Sequence, residues 1–375
     1  MDYLKRRIIG PLLPLLLLTL IVTTAKLAAQ SPGGSANSLQ SAFGKKFTMG
    51  VAVGPADLSG ESAKLILQQF GSLTPENAMK MGPVHPRENE YNWKAADSIA
   101  AFARRHGLKL RGHTLCWHQQ VPSWIFTDNT GAPANRSLVL KRLHDHIKTV
   151  VGRYRDIVYA WDVVNEAISD APGEYLRNSP WLSICGEEYI ALAFQWAHEA
   201  DPDALLFYND YNEIDSTKRS KIIRLVTTLQ KKGVPVHGIG LQGHWAINEP
   251  TPEILDACLR DFTATGLPLQ ITELDVSVYP KEHQARSAQP SDSKTAFTPA
   301  KATAQQEQYL NCFRIFGKYR QMIQAITFWN VSDKHTWLDN FPVRNRKDYP
   351  LLFDVNLKPK QAYHILLQHA TEILP

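Results

Sequence analysis

A single (β/α)8 barrel is the fold class that three observations in this sequence predict. Short β-rich apolar runs alternate with longer amphipathic stretches from residue 47 onward, giving eight pairs in about 330 residues. Polar and aromatic residues gather just after the apolar runs, where a barrel builds its site. No Walker sequence argues for a nucleotide, and nothing in the sequence calls for any other cofactor.

Before the barrel, Lys5-Arg6-Arg7, an apolar run over 8–22 and small residues up to Ala29 have the layout of a secretory signal peptide at 1–29. The run falls short of the roughly 20 residues a membrane span needs, so the mature chain is expected to be secreted or periplasmic. Residues 30–40 are small and polar, as a flexible linker would be, and 41–375 read as one catalytic domain. Net charge is +5; the leader carries four cations (Lys5, Arg6, Arg7, Lys26) against Asp2, so its removal leaves +2, no footprint for nucleic acid. Cys116, Cys185, Cys258 and Cys312 are far apart and form no CxxC, and are expected as buried thiols.

The strands are expected at 47–53, 71–73, 109–115, 158–163, 205–208, 237–241, 268–272 and 326–328. The helix at 137–154 is the clearest, with Leu140, Leu143, Ile147, Val150 and Val151 at helical spacing behind Ser137 as its cap. Others are expected near 187–200, 216–232, 251–265, 303–319 and 360–374. Residues 279–302, rich in Ser, Ala, Lys, Pro and Gln, read as a long loop after strand seven.

Glu166 and Glu273 each close an apolar run, on strands four and seven. A buried charge is costly without a purpose. Two carboxyls facing each other across a barrel suit acetal cleavage, which needs one protonated and one ionised group. Asp275, two residues past Glu273, is placed to orient His244, which in turn donates to Glu273. His113, His118 and His244 also make a zinc set, but no HExxH accompanies them and the Asn, Gln and Trp around them suit a hydroxyl-rich ligand better than a cation. Trp117, Trp329 and Trp337 offer faces for sugar stacking, with Glu76, Asn77, Lys80, Asn209 and Gln242 available to hydroxyls. Trp124 and Trp161 read as packing.

Five ordered motifs now carry a resemblance: Leu73-Thr-Pro-Glu-Asn-Ala-Met-Lys80, Arg111-Gly-His-Thr-Leu-Cys-Trp-His118, Trp161-Asp-Val-Val-Asn-Glu166, Gly240-Leu-Gln-Gly-His244 and Ile271-Thr-Glu-Leu-Asp275. From residue 47 to about 363 the chain resembles glycoside hydrolase family 10, the barrel-fold endo-β-1,4-xylanases. The resemblance implies hydrolysis of internal β-1,4-bonds of xylan with retention, Glu166 as acid/base, Glu273 as nucleophile and Asn165 at the 2-hydroxyl of the cleaved sugar. It implies that Glu76, Asn77, Lys80, His113, Trp117, Gln242, His244 and Trp329 line the glycone side, with Trp337 over the cleft. The partners it implies are xylan and xylo-oligosaccharides, acted on by a monomer without metal. Asn330 stands where the family usually has Gly, and Cys116 where Val is more common. A cellulase or mannanase of a related barrel family also carries Asn-Glu and Glu on strands four and seven, but the Thr74 to Lys80 block argues against it. A catalytically silent glycan-binding protein is disfavoured because both carboxylates are present.

Overall fold

The computed structural model describes residues 38–282, 286–289 and 297–375. The expected leader, and the expected linker up to residue 37, lie outside the described residues. The linker's last residues do not fit that expectation. Ser38 caps a helix, Leu39–Phe43, and Leu39 and Phe43 are fully buried, so apolar burial fixes this stretch to the barrel floor.

Eight parallel strands close into a barrel: β1 Thr48–Val53, β2 Ser72–Pro75, β3 Lys109–Cys116, β4 Val158–Asn165, β5 Leu205–Asp210, β6 Gly238–Leu241, β7 Leu269–Ser277 and β8 Ile323–Phe328. Closure is direct: β8 pairs with β7 and with β1, with Thr48 opposite Ala325. Each strand is followed by a helix: α1 Gly60–Gln69, α2 Lys94–His106, α3 Arg136–Tyr154, α4 Glu188–Ala200, α5 Ser216–Lys231, α6 Pro252–Thr263, α7 Pro299–Lys318 and α8 Gln361–Gln368. The strands are buried on both faces, so they read as continuous apolar runs.

Several boundaries shift for identifiable reasons. The cap of α3 is Asn135, whose side chain accepts from the Leu138 amide, not Ser137. Helix α7 starts at Pro299 behind a Thr298 cap, inside the expected loop. That loop's first residue is packed: Tyr279 is buried and its hydroxyl donates to the Lys347 carbonyl at 3.2 Å. The chain end forms two helices, α8 and Ala370–Ile373. All four cysteines are buried and unpaired, while Trp161 is fully buried and Trp124 packs against the core.

Candidate active site

The barrel strands run further than the apolar pattern suggests, and the extra residues are the polar ones. β4 continues to Asn165, β5 to Asp210 and β7 to Ser277, so Asn165, Asn209, Glu273 and Asp275 are strand residues held by ladder hydrogen bonds. Glu166 follows with φ 56°, a left-handed turn at the end of β4.

Glu166 is buried, and each carboxylate oxygen has donors. Trp117 Nε1 donates to Oε2 at 2.8 Å, Gln242 Nε2 to Oε1 at 2.9 Å and Asn165 Nδ2 to Oε1 at 3.2 Å. His118 Nδ1 stands 3.9 Å from Oε2. Burial, helped by the charges of Asp210 and Glu273, nevertheless outweighs these donors and raises the Glu166 carboxyl above its usual range.

Glu273 is equally buried but shifts the other way. Asn209 Nδ2 donates to Oε1 at 2.8 Å, and His244 Nε2 lies 3.2 Å from Oε2. Burial again favours the neutral form, but the His244 hydrogen bond with the fields of His113 and His244 outweighs it, and the carboxyl falls below its usual range.

His244 sits between two carboxylates, with Nδ1 2.9 Å from Asp275 Oδ2. Against the cost of burial, Asp275 first and then Glu273 lift its pKa to about 10, so the ring is an imidazolium at neutral pH. Gly243, with φ 75°, makes the turn that brings His244 alongside β7; a side chain there would press on Ile271 at 3.1 Å. Trp337 Nε1 also donates to Asp275 Oδ2, at 2.8 Å, and its ring lies 4.7 Å from His244.

The remaining expected residues surround this pair. Lys80 Nζ donates to Asn77 Oδ1 at 3.1 Å and lies 4.9 Å above Trp117 and 5.9 Å from Trp329. His113 packs edge-on to Trp329 at 5.3 Å and pairs through Nδ1 with Asp162 at 2.9 Å. Glu76 accepts from Asn330 Nδ2 at 3.0 Å and from His335 at 3.4 Å, toward one end of the group. Gln242 Nε2 reaches Asn165 Oδ1 at 3.3 Å as well as Glu166. Thus Glu76, Asn77, Lys80, His113, Trp117, Asn165, Gln242, His244, Asp275, Trp329 and Trp337 converge on the C-terminal mouth of the barrel around the two glutamates.

Sequence reasoning missed two supports. Asn209, expected to meet sugar hydroxyls, instead ties the two halves of the site together: Nδ2 donates to both Asn165 Oδ1, at 3.0 Å, and Glu273, while Thr272 Oγ1 fixes its oxygen at 2.7 Å. Below, Arg111 is fully buried and bonds Asp162 and Gln270; an arginine in the middle of a small barrel's strand was the available signal.

The chain that builds this mouth, with one carboxyl raised and the other lowered among indoles and amides, is similar to known proteins over most of its length. Residues 38–369 match the family model "Glycosyl hydrolase family 10". The chain is 47% identical to endo-1,4-beta-xylanase B of Paenibacillus barcinonensis over 87% of this chain and 96% of that protein. It is 45% identical to a beta-1,4-xylanase of Dictyoglomus thermophilum over 94% of this chain and 96% of that one. Among solved structures, a Paenibacillus barcinonensis xylanase complexed with a conduramine derivative superposes with a TM-score of 0.84 at 46% identity, covering 88% of this chain and 98% of that one. An endo-1,4-beta-xylanase of Caldicellulosiruptor owensensis gives 0.83 at 44% identity, covering 88% and 99%. The chain belongs to glycosyl hydrolase family 10.

Proposed function

We propose that Glu166 is the acid/base and Glu273 the nucleophile of this chain's reaction. That reaction is the hydrolysis of internal β-1,4-xylosidic bonds of xylan with retention of anomeric configuration. The observation that carries the assignment is the opposite displacement of two equally buried carboxyls, Glu166 upward and Glu273 downward.

In the first half-reaction the Glu273 carboxylate attacks the anomeric carbon while Glu166 gives its proton to the departing oxygen, leaving a glycosyl ester on Glu273. In the second, Glu166, now a carboxylate, takes a proton from water, which displaces Glu273 from the same carbon. Two inversions retain the configuration. His244, as a cation, keeps Glu273 ionised before attack and eases its departure afterwards. Asn165, anchored by Asn209 and Gln242, is positioned for the 2-hydroxyl of the reacting sugar. Trp117, Trp329 and Trp337 supply stacking faces, and Glu76, Asn77, Lys80, His113 and Gln242 serve the glycone hydroxyls.

We read the mature chain as a secreted or periplasmic monomer. The leader-like pattern at 1–29 supports export. Among the described residues no helix is long and apolar enough to cross a membrane.

Leaving-group dependence tests the two roles. A general acid contributes about 10²–10⁴-fold when the departing oxygen is basic, as in xylan, and little for an acidic phenol. Glu166→Ala is expected to fail on xylan yet form the glycosyl-enzyme rapidly from a dinitrophenyl xylobioside. Azide, needing no base, then restores turnover as the β-azide. Glu273→Ala is expected to be slow on both substrates. Equal impairment of Glu166→Ala on both would overturn the assignment.

A further inference from the structure

Asn330, directly after Trp329 beyond the end of β8, has φ 104°. Asparagine visits the left-handed basin near +57°, but 104° lies outside it, in territory that suits glycine. Such a backbone persists only where the surroundings over-determine it, and such sites cluster around ligands.

The backbone amide of Asn330 donates to the Phe328 carbonyl at 3.2 Å, and its side chain makes one hydrogen bond. Asn330 is 2% exposed, and its Nδ2 donates to Glu76 Oε2 at 3.0 Å across 254 residues of chain. Its own Oδ1 is buried without a hydrogen-bond partner among the described residues. The amide therefore serves Glu76 and leaves its other end unsatisfied, which adds a second cost to the strained backbone. His335 Nε2 approaches the same Oε2 at 3.4 Å, so both donors from the segment after β8 converge on one oxygen of Glu76. Among the described residues no hydrogen bond reaches Oε1. Glu76 is bonded to neither Glu166 nor Glu273, while Lys80 feels the charges of Glu273 and Glu76 alike.

We infer that Asn330 is a specificity-determining positioning residue, which aims Glu76 at a hydroxyl of the xylose next to the reacting one on the glycone side. The strained backbone is the cost of that aim. The inference rests on the reading of Glu76 as a glycone contact.

Its test compares an aryl β-xyloside, with one glycone sugar, and an aryl β-xylobioside, with two. Asn330→Gly relieves the backbone and removes the amide. It is expected to melt at the same temperature as wild type or higher, yet lose about tenfold in kcat/KM on the xylobioside, chiefly through KM. The xyloside is expected to stay within about twofold. Asn330→Ala, which keeps the strain, should show the same kinetic loss without a gain in melting temperature. Combined with Glu76→Gln, Asn330→Gly should add no further loss, because both act through one carboxylate. If Glu76→Gln weakens xylobioside turnover and Asn330→Gly does not, the inference is overturned and the reading of Glu76 stands. If Glu76→Gln affects neither substrate, that reading falls and the inference with it. A lower melting temperature with equal loss on both substrates makes Asn330 merely structural and also overturns it.

Discussion

Replacing Asp275 by Asn tests the electrostatic logic at the nucleophile. In the wild type His244 is lifted from 6.5 to about 10 by Asp275 and Glu273 against its own burial. That shift corresponds to about 5 kcal/mol in favour of the imidazolium. Asp275, at 2.9 Å, is the larger of the two supports and Glu273, at 3.2 Å, the smaller. Removing at least half of the gain leaves His244 titrating at about pH 8 or below. The substituted amide has no freedom to compensate. Trp337 Nε1 donates to the same Oδ2 that meets His244 Nδ1, and an indole can only donate, so the amide oxygen must occupy that place and accept from Nδ1. A neutral His244 then turns the bare lone pair of Nε2 toward Glu273 Oε2, which loses that donor and keeps only the Asn209 bond on its other oxygen.

The assay is kcat/KM on a dinitrophenyl xylobioside from pH 5 to 10, where the leaving group needs no acid and Glu166 drops out of the profile. Wild type should hold its plateau to about pH 9. Asp275→Asn should fall above about pH 8, to about one thirtieth of its neutral value by pH 9.5. Stability follows the same titration. Because the folded pKa of His244 is raised, its contribution is complete below about pH 6.5 and is lost as pH rises through about 10 in the wild type, and about two units earlier in the variant. A variant profile that merely parallels the wild type at a lower level would refute the reasoning.

Two further outcomes follow from the packing. Trp329→Ala removes the wall beside His113 and Lys80 and should lower kcat/KM on xylotetraose well beyond twofold; a change below about 0.4 kcal/mol would make Trp329 core rather than sugar platform. Arg111→Met strands the buried Asp162 charge and should cost about 3–5 kcal/mol in denaturant unfolding, whereas a loss under about 1 kcal/mol would show that His113 alone neutralises Asp162.

The barrel was legible because its strands are apolar on both faces and its helices show the 3.6-residue period, as in α3. What the pattern obscured is where strands end. The expected strands stop at Val163, Tyr208 and Thr272, yet pairing continues through Asn165, Asp210 and Ser277, since each of these polar side chains finds a partner elsewhere in the chain. Asp210, for example, is held by Tyr208 and Lys218. A local pattern counts polarity and cannot register a partner tens of residues away. The same limit explains Asn209, whose partners lie on β4 and β7, and Asn330, whose partner is 254 residues off. Caps went wrong by a short slip: Asn135 and Ser137 both precede an apolar face, and the amide geometry of Leu138 decides between them.

Trapping the covalent intermediate tests the central claim most directly. A 2-fluoro xylobioside with a dinitrophenolate leaving group slows both half-reactions by opposing positive charge at the anomeric carbon, while the good leaving group keeps the first passable, so the glycosyl-enzyme accumulates. Mass spectrometry of the digested protein should find one xylobiosyl label, on the peptide containing Glu273. A label on the peptide containing Glu166, or inactivation without a covalent adduct, would contradict the account.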